Sequence, residues 1–201
     1  NEIVLLAAHL DSWDLGTGAI DDGAGVAIVT AAAKLILDTG DAPRRTIRVV
    51  LFANEEFGLD GAEQYLAGHA GLVDKHVIGL EADSGVGRNW RLRSQVAKGA
   101  RDLVAEIHAL LEPIGIEMGN NKASGGADLG PLRKAGMPVL SLSHDATHYF
   151  DYHHTPDDTF DKITPEEFRH NIAVYAAFTY IAAENGWDFR KQPDPASGGT
   201  D

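Results

Sequence analysis

Four separate stretches of this chain carry side chains that can bind a cation or move a proton. They are His9-Leu10-Asp11 with Gly18-Ala19-Ile20-Asp21-Asp22-Gly23-Ala24-Gly25, then Asn54-Glu55-Glu56, then Asp83, then His153-His154-Thr155-Pro156-Asp157-Asp158-Thr159. Imidazole nitrogen and carboxylate oxygen are ordinary ligands of zinc and similar divalent ions. One acidic residue at the end of a strand is more often a helix cap or a solvated loop residue. Four such places, two of them with histidine, are different, because like charges gathered at a sheet edge need a counter-charge. A pair of divalent cations supplies it. The pattern points to a two-metal hydrolytic site, with ions about 3.5–4 Å apart sharing an oxygen donor.

Such a site needs strands that end together. Residues 3–8 are an unbroken apolar run and read as a buried strand leading to His9. The alanine-rich stretch 26–37 reads as a helix that the Gly25 turn leads into and that ends near Thr39-Gly40. Residues 46–53, β-branched and apolar, are the clearest strand and deliver Glu55 and Glu56. Neighbouring side chains on an extended segment point opposite ways, so the chain must bend here, and Gly58 is the expected aid. Residues 59–70 read as a helix, 76–83 as a strand finishing on Asp83, and 90–94 as a short edge strand. The amphipathic stretch 100–111 stops at Pro113. A polar loop, 120–126, precedes a short helix at 128–134 and a strand at 137–142. A long helix over 165–184 has Thr164 as its expected N-cap and Glu166 and Glu167 in its first turn. Strands and helices alternate throughout. This is the pattern of an α/β protein, a three-layer αβα sandwich around a mostly parallel mixed sheet, whose chemistry sits at the C-terminal strand ends.

A chain of 201 residues suits one domain with its own core, expected over 1–190, and a flexible Pro/Gly/Ser tail over 191–201. The formal charge of −13 argues against a nucleic-acid partner, and no apolar run is long enough for a membrane span. Absence of cysteine removes thiolate zinc sites and disulfides but assigns no compartment. A candidate ligand in the first strand leads to the expectation that this is a segment of a longer precursor. Pairing of two copies through an exposed sheet edge is a further expectation.

In these motifs the chain resembles the M28 metallopeptidases, the co-catalytic zinc aminopeptidases and carboxypeptidases. His9-Leu10-Asp11-Ser12-Trp13-Asp14 with Asp21-Asp22-Gly23 looks closest to the plasma glutamate carboxypeptidase (carboxypeptidase Q) branch, and the likeness runs over 3–163. The resemblance implies a zinc-exopeptidase fold of the phosphorylase/hydrolase type, two Zn2+ ions, small peptide substrates and an exported enzyme. Carried over, His9 and Asp83 hold one zinc, Glu56 and His154 the other, and Asp21 bridges them. Glu55 matches the general base, and Asp11 the carboxylate that orients the first histidine. Where relatives place an oxyanion-stabilising tyrosine, this chain has His153, which competes with His154 as ligand and is assigned an oxyanion or substrate-contact role. Asp22 is the alternative to Asp21 but is expected to cap the following helix. Asp128 is expected as an N-cap, Asp157 and Asp158 as turn and capping residues, and Trp13 as a pocket residue. His69, His76, His108 and His170 are expected to be ordinary core or surface histidines. Two rivals share the fold. A glutaminyl-cyclase-like acyltransferase uses one zinc, against which the full ligand set argues. A catalytically silent binding module would lack the base or a ligand, and neither is missing.

Overall fold

The computed structural model of the protein describes residues 2–190, so the expected tail at 191–201 lies outside the described residues. Six strands, β1 (Ile3–His9), β2 (Thr46–Phe52), β3 (His76–Glu81), β4 (Asn89–Gln95), β5 (Glu117–Met118) and β6 (Val139–His144), form one sheet in the order β2-β1-β3-β6-β4-β5. The β1–β2, β1–β3, β3–β6 and β4–β5 pairs are parallel, and β4 runs antiparallel to β6. Seven helices accompany them: α1 (Ala24–Asp38), α2 (Glu55–Gly58), α3 (Asp60–Gly68), α4 (Arg101–Leu111), α5 (Gly130–Lys134), α6 (Tyr149–Tyr152) and α7 (Pro165–Glu184).

β1 shows why the sandwich forms. All seven of its residues are buried, with β2 on one side and β3 on the other. Successive side chains point to opposite faces. Val4, Leu6 and Ala8 pack with Ile28 and Ala32 of α1, Ile107 of α4 and Phe178 of α7. Leu5 and Ala7 pack with Ala62 of α3 and Leu132 of α5. Helices therefore cover both faces, which is what an apolar run without alternation requires.

Several expectations shift. The strand anticipated at the edge, 90–94, is β4 and lies one place in from it, because the two-residue β5 takes the edge. A strand of two residues has no period to read. The helix anticipated over 59–70 is α3, which starts at Asp60 and ends at Gly68, and the separate one-turn helix α2 precedes it across Leu59, whose φ is 61°. Gly58 is helical, so the bend that presents Glu55 and Glu56 comes instead from Asn54, with φ 62°, and Leu59. α7 has the expected bounds, but the Thr164 side chain makes no cap bond. Asp128 precedes α5 without capping it, and both of its carboxylate oxygens are buried and unpartnered among the described residues.

Candidate metal centre

β1 lies between β2 and β3 and runs parallel to both, so three C-terminal ends emerge side by side. His9 is opposite Phe52, and Ala7 is opposite Glu81. Asp83, two residues past Glu81, is thereby level with His9, while Glu55 and Glu56 follow closely on Phe52. Asp21 arrives from an irregular turn at 19–23 and is buried. His153 and His154 come from the turn after α6, with His154 at a φ of 59°.

The five candidate ligands converge. His9 Nε2 lies 3.2 Å from Asp21 Oδ1 and 3.7 Å from Asp83 Oδ1. On the other side, His154 Nε2 lies 3.3 Å from Asp21 Oδ2 and 2.8 Å from Glu56 Oε2. Asp21 thus turns one oxygen toward each group. His153 Nε2 is also 3.3 Å from Asp21 Oδ2, but among the described residues only His154 makes an ion pair with Glu56. Donor atoms of His9, Asp21 and Asp83, and of Asp21, His153 and His154, are each close enough together to surround an ion.

The surrounding residues fix these positions. His9 Nδ1 donates to the Asp11 main-chain carbonyl at 2.9 Å, which fixes the ring so that Nε2 faces the cluster. The carboxylate of Asp11 was expected to orient that ring, yet Oδ1 is 3.7 Å away. It instead accepts the backbone N–H groups of Glu55 and Glu56 at 3.0 and 3.1 Å, holding the first turn of α2. Asp22 accepts from Gly25 N at 3.0 Å, as a cap should, and from His9 N at 3.1 Å. The His154 ring lies between Trp13, at 4.8 Å between centroids, and His153, at 3.6 Å. Trp13 also stacks on Phe57 and sits at the rim of the centre.

Asp158 is more than a turn residue. Its carboxylate accepts Ile20 N at 2.5 Å and Asp21 N at 3.1 Å, fixing the backbone of the residue shared by both groups. Its acid type and its place in the His153–Thr159 segment were the only sequence signals for this. Tyr149 was also missed. Its ring lies tilted against that of His153, 4.9 Å between centroids, and burial together with Asp21 and Asp83 pushes its hydroxyl up, so it stays an O–H donor. The four histidines expected to be ordinary are hydrogen-bonded within the fold: His69 to Tyr65 O, His76 to Leu72 O, His108 to Ile116 O and His170 to Asn89 O.

Electrostatics show what the cluster lacks. Burial disfavours a charged His9, but the Asp21 and Asp83 carboxylates outweigh it and hold the ring's pKa up at about 12. Burial raises Glu55 and Glu56, and neighbouring carboxylates add to the rise. Glu56 Oε1 is buried with no hydrogen-bond partner among the described residues. Two imidazoles and three carboxylates with an orphaned oxygen suit an N/O-ligated cation such as zinc. The donor set fits the metal.

A model of peptidase family M28 matches residues 1–179. Carboxypeptidase Q of Rattus norvegicus is 39% identical over 183 residues, which cover 91% of this chain and 39% of that protein. The crystal structure of a peptidase M28 precursor from Shewanella amazonensis SB2B matches with a TM-score of 0.92 and 53% identity, covering 96% of this chain and 44% of that one. A zinc aminopeptidase from Bacillus subtilis, at 24% identity and a TM-score of 0.72, shares the fold over 92% of this chain and 47% of its own. The chain thus spans less than half the length of these proteins.

Proposed function

The chain belongs to peptidase family M28, and from that membership and the cluster's geometry we propose that it is the catalytic part of a di-zinc exopeptidase acting on small peptides near a free terminus. The observation that carries the reading is Asp21, whose two oxygens face His9 and His154 separately at 3.2 and 3.3 Å. In this reading His9 and Asp83 would hold one zinc, Glu56 and His154 would hold the second, and Asp21, which faces both groups, would serve both. Zinc bound there supplies Lewis acidity toward the peptide carbonyl and lowers the pKa of water.

Glu55 is the proton carrier. Its backbone is fixed by Asp11, and its carboxylate is raised by burial beside Asp83, which suits a base working near neutral pH. It takes a proton from the attacking water and passes it to the departing amine. Asp11 acts as a positioning residue by holding Glu55 and Glu56 in one turn. His153, beside Asp21 and partly exposed, contacts the substrate or its developing oxyanion.

Metal analysis and peptidase assays on wild type and Glu55→Gln test the assignment. The expected result is two zinc ions per chain in both proteins and a loss of about 10²- to 10⁴-fold in kcat for the variant. Unaltered hydrolysis by Glu55→Gln removes the base, and a single ion in wild type removes the paired site. For His153→Ala a fall in kcat is expected, and an unchanged kcat refutes its role.

A further inference from the structure

A cavity reaches from the candidate ligand Asp83 to β4. Its volume is about 200 Å³, and it is lined by Asp83 and Ser84 at the metal end and by Arg93, Ser124, Ser141 and Ser143 farther along. Arg93 is the one Lys or Arg among the described residues that line it. Among the described residues its guanidinium makes no hydrogen bond or ion pair, and its Nε is buried without a partner. An arginine with its planar fork unused, in a cavity that four serines also line, is a receptor for a carboxylate or phosphate.

The arginine is also held in place. Arg93 lies opposite Ser141 in the β4–β6 pairing, so both side chains stand on the same face. Gly119 packs against the Arg93 stem so closely that a Cβ there would fall 2.6 Å from Arg93 Cγ. Ser141 Oγ accepts Gly125 N at 3.0 Å and keeps its own proton to donate. The acids nearby are already engaged. Glu81 accepts three backbone N–H groups, from Ala127, Asp128 and Leu129, and Asp83 faces His9. His144 lines the same cavity, but burial lowers its pKa to about 4, so it brings no charge at neutral pH.

We propose that Arg93, with Ser141 beside it, receives the C-terminal α-carboxylate of a short peptide whose scissile bond lies at the metal centre. The proposal rests on the peptidase reading and adds to it the terminus that is recognised. It makes a free carboxylate, rather than a free amine, the group that the enzyme measures from.

Binding distinguishes this from other roles without relying on hydrolysis. Affinities of N-acetyl-leucine, N-acetyl-leucinamide and N-acetyl-glutamic acid α-amide are measured by calorimetry on the 201-residue chain, with zinc and after chelation. Wild type is expected to prefer N-acetyl-leucine in both states. Arg93→Ala should bind it about 10- to 100-fold more weakly, with the amide unaffected, and Arg93→Lys should recover part of the loss. Thermal melts establish that both variants are folded. Equal binding of acid and amide by wild type overturns the proposal, as does carboxylate affinity that depends on zinc but not on Arg93. Preference for the glutamate side chain overturns the assignment to the terminus. Hydrolysis is scored separately: absence of cleavage of any short peptide by the zinc-loaded wild type overturns the peptidase reading, while the carboxylate measurement stands by itself.

Discussion

Asp158 controls the centre from outside the candidate ligand set. It lies 137 residues from Asp21 in the chain, yet its carboxylate binds the Asp21 and Ile20 amides, and its carbonyl accepts the Thr17 amide and hydroxyl. These bonds set the backbone on which the two Asp21 oxygens are aimed at separate groups. Asp158→Ala leaves two buried N–H groups unpaired, at about 1–3 kcal/mol each. Zinc affinity, measured by chelator competition, should fall about 10- to 100-fold, the usual scale for residues that orient ligands. Asp158→Asn keeps one acceptor oxygen and should lie between. A folded Asp158→Ala protein with unchanged zinc affinity would show that Asp21 holds its direction alone.

At the scale of elements, the site depends on how closely α1 approaches β3. Gly25, in the first turn of α1, has no room for a side chain: a Cβ there would lie 2.0 Å from Ala82 O and 2.2 Å from Asp22 Oδ1. Gly25→Ala must push the start of α1 away from the strand that carries Asp83. The expected cost is about 1–3 kcal/mol in denaturant unfolding, as for other overpacked interiors, together with weaker zinc binding. Normal stability and normal metal affinity would mean that the two elements separate easily. The elements that make this junction were legible in the chain. β1, β2 and β3 are covered on both faces or nearly so, and such strands read as unbroken apolar runs that end in acids or histidine. α7 was legible from its length and its acidic first turn. What was not legible depends on remote partners. Asn54 and Leu59, both at positive φ, flank the helix α2 whose first turn is held by Asp11, some 44 residues earlier. Asp128 and Asp158 look alike in sequence, yet one is a buried unpartnered carboxylate and the other anchors a backbone turn. Asp11 meets the His9 ring mainly through its carbonyl, with its carboxylate farther off, and spacing cannot distinguish two acceptors on one residue.

For the molecule as a whole, the centre concentrates acidity in a chain whose formal charge is already −13. Asp21 and Asp22 are buried and Asp83 lies beside them, while the cationic form of His9 is held by its neighbours up to a pKa of about 12. In the proposed reading a divalent ion would replace that proton with a stronger counter-charge tied to residues from β1, the turn at 19–23, α2, the segment after β3 and the turn after α6. Metal binding must therefore stabilise the folded state, since an unfolded chain does not gather these ligands. With free zinc at a thousandfold over its dissociation constant, the gain is about 4 kcal/mol. For a domain of this size that amounts to a rise in Tm on the order of 10 °C. Chelation should reverse the rise, and Asp21→Ala should abolish most of it, because each group loses the Asp21 oxygen that faces it. Asp38→Asn, which alters an exposed acid paired with Lys34 on α1, should leave the shift intact. The shift should also shrink as the pH falls, because protons compete for every ligand. Calorimetric melts with and without zinc read all three comparisons. Identical melting temperatures in the two states would mean that the assembled side chains do not bind the ion, whatever their geometry.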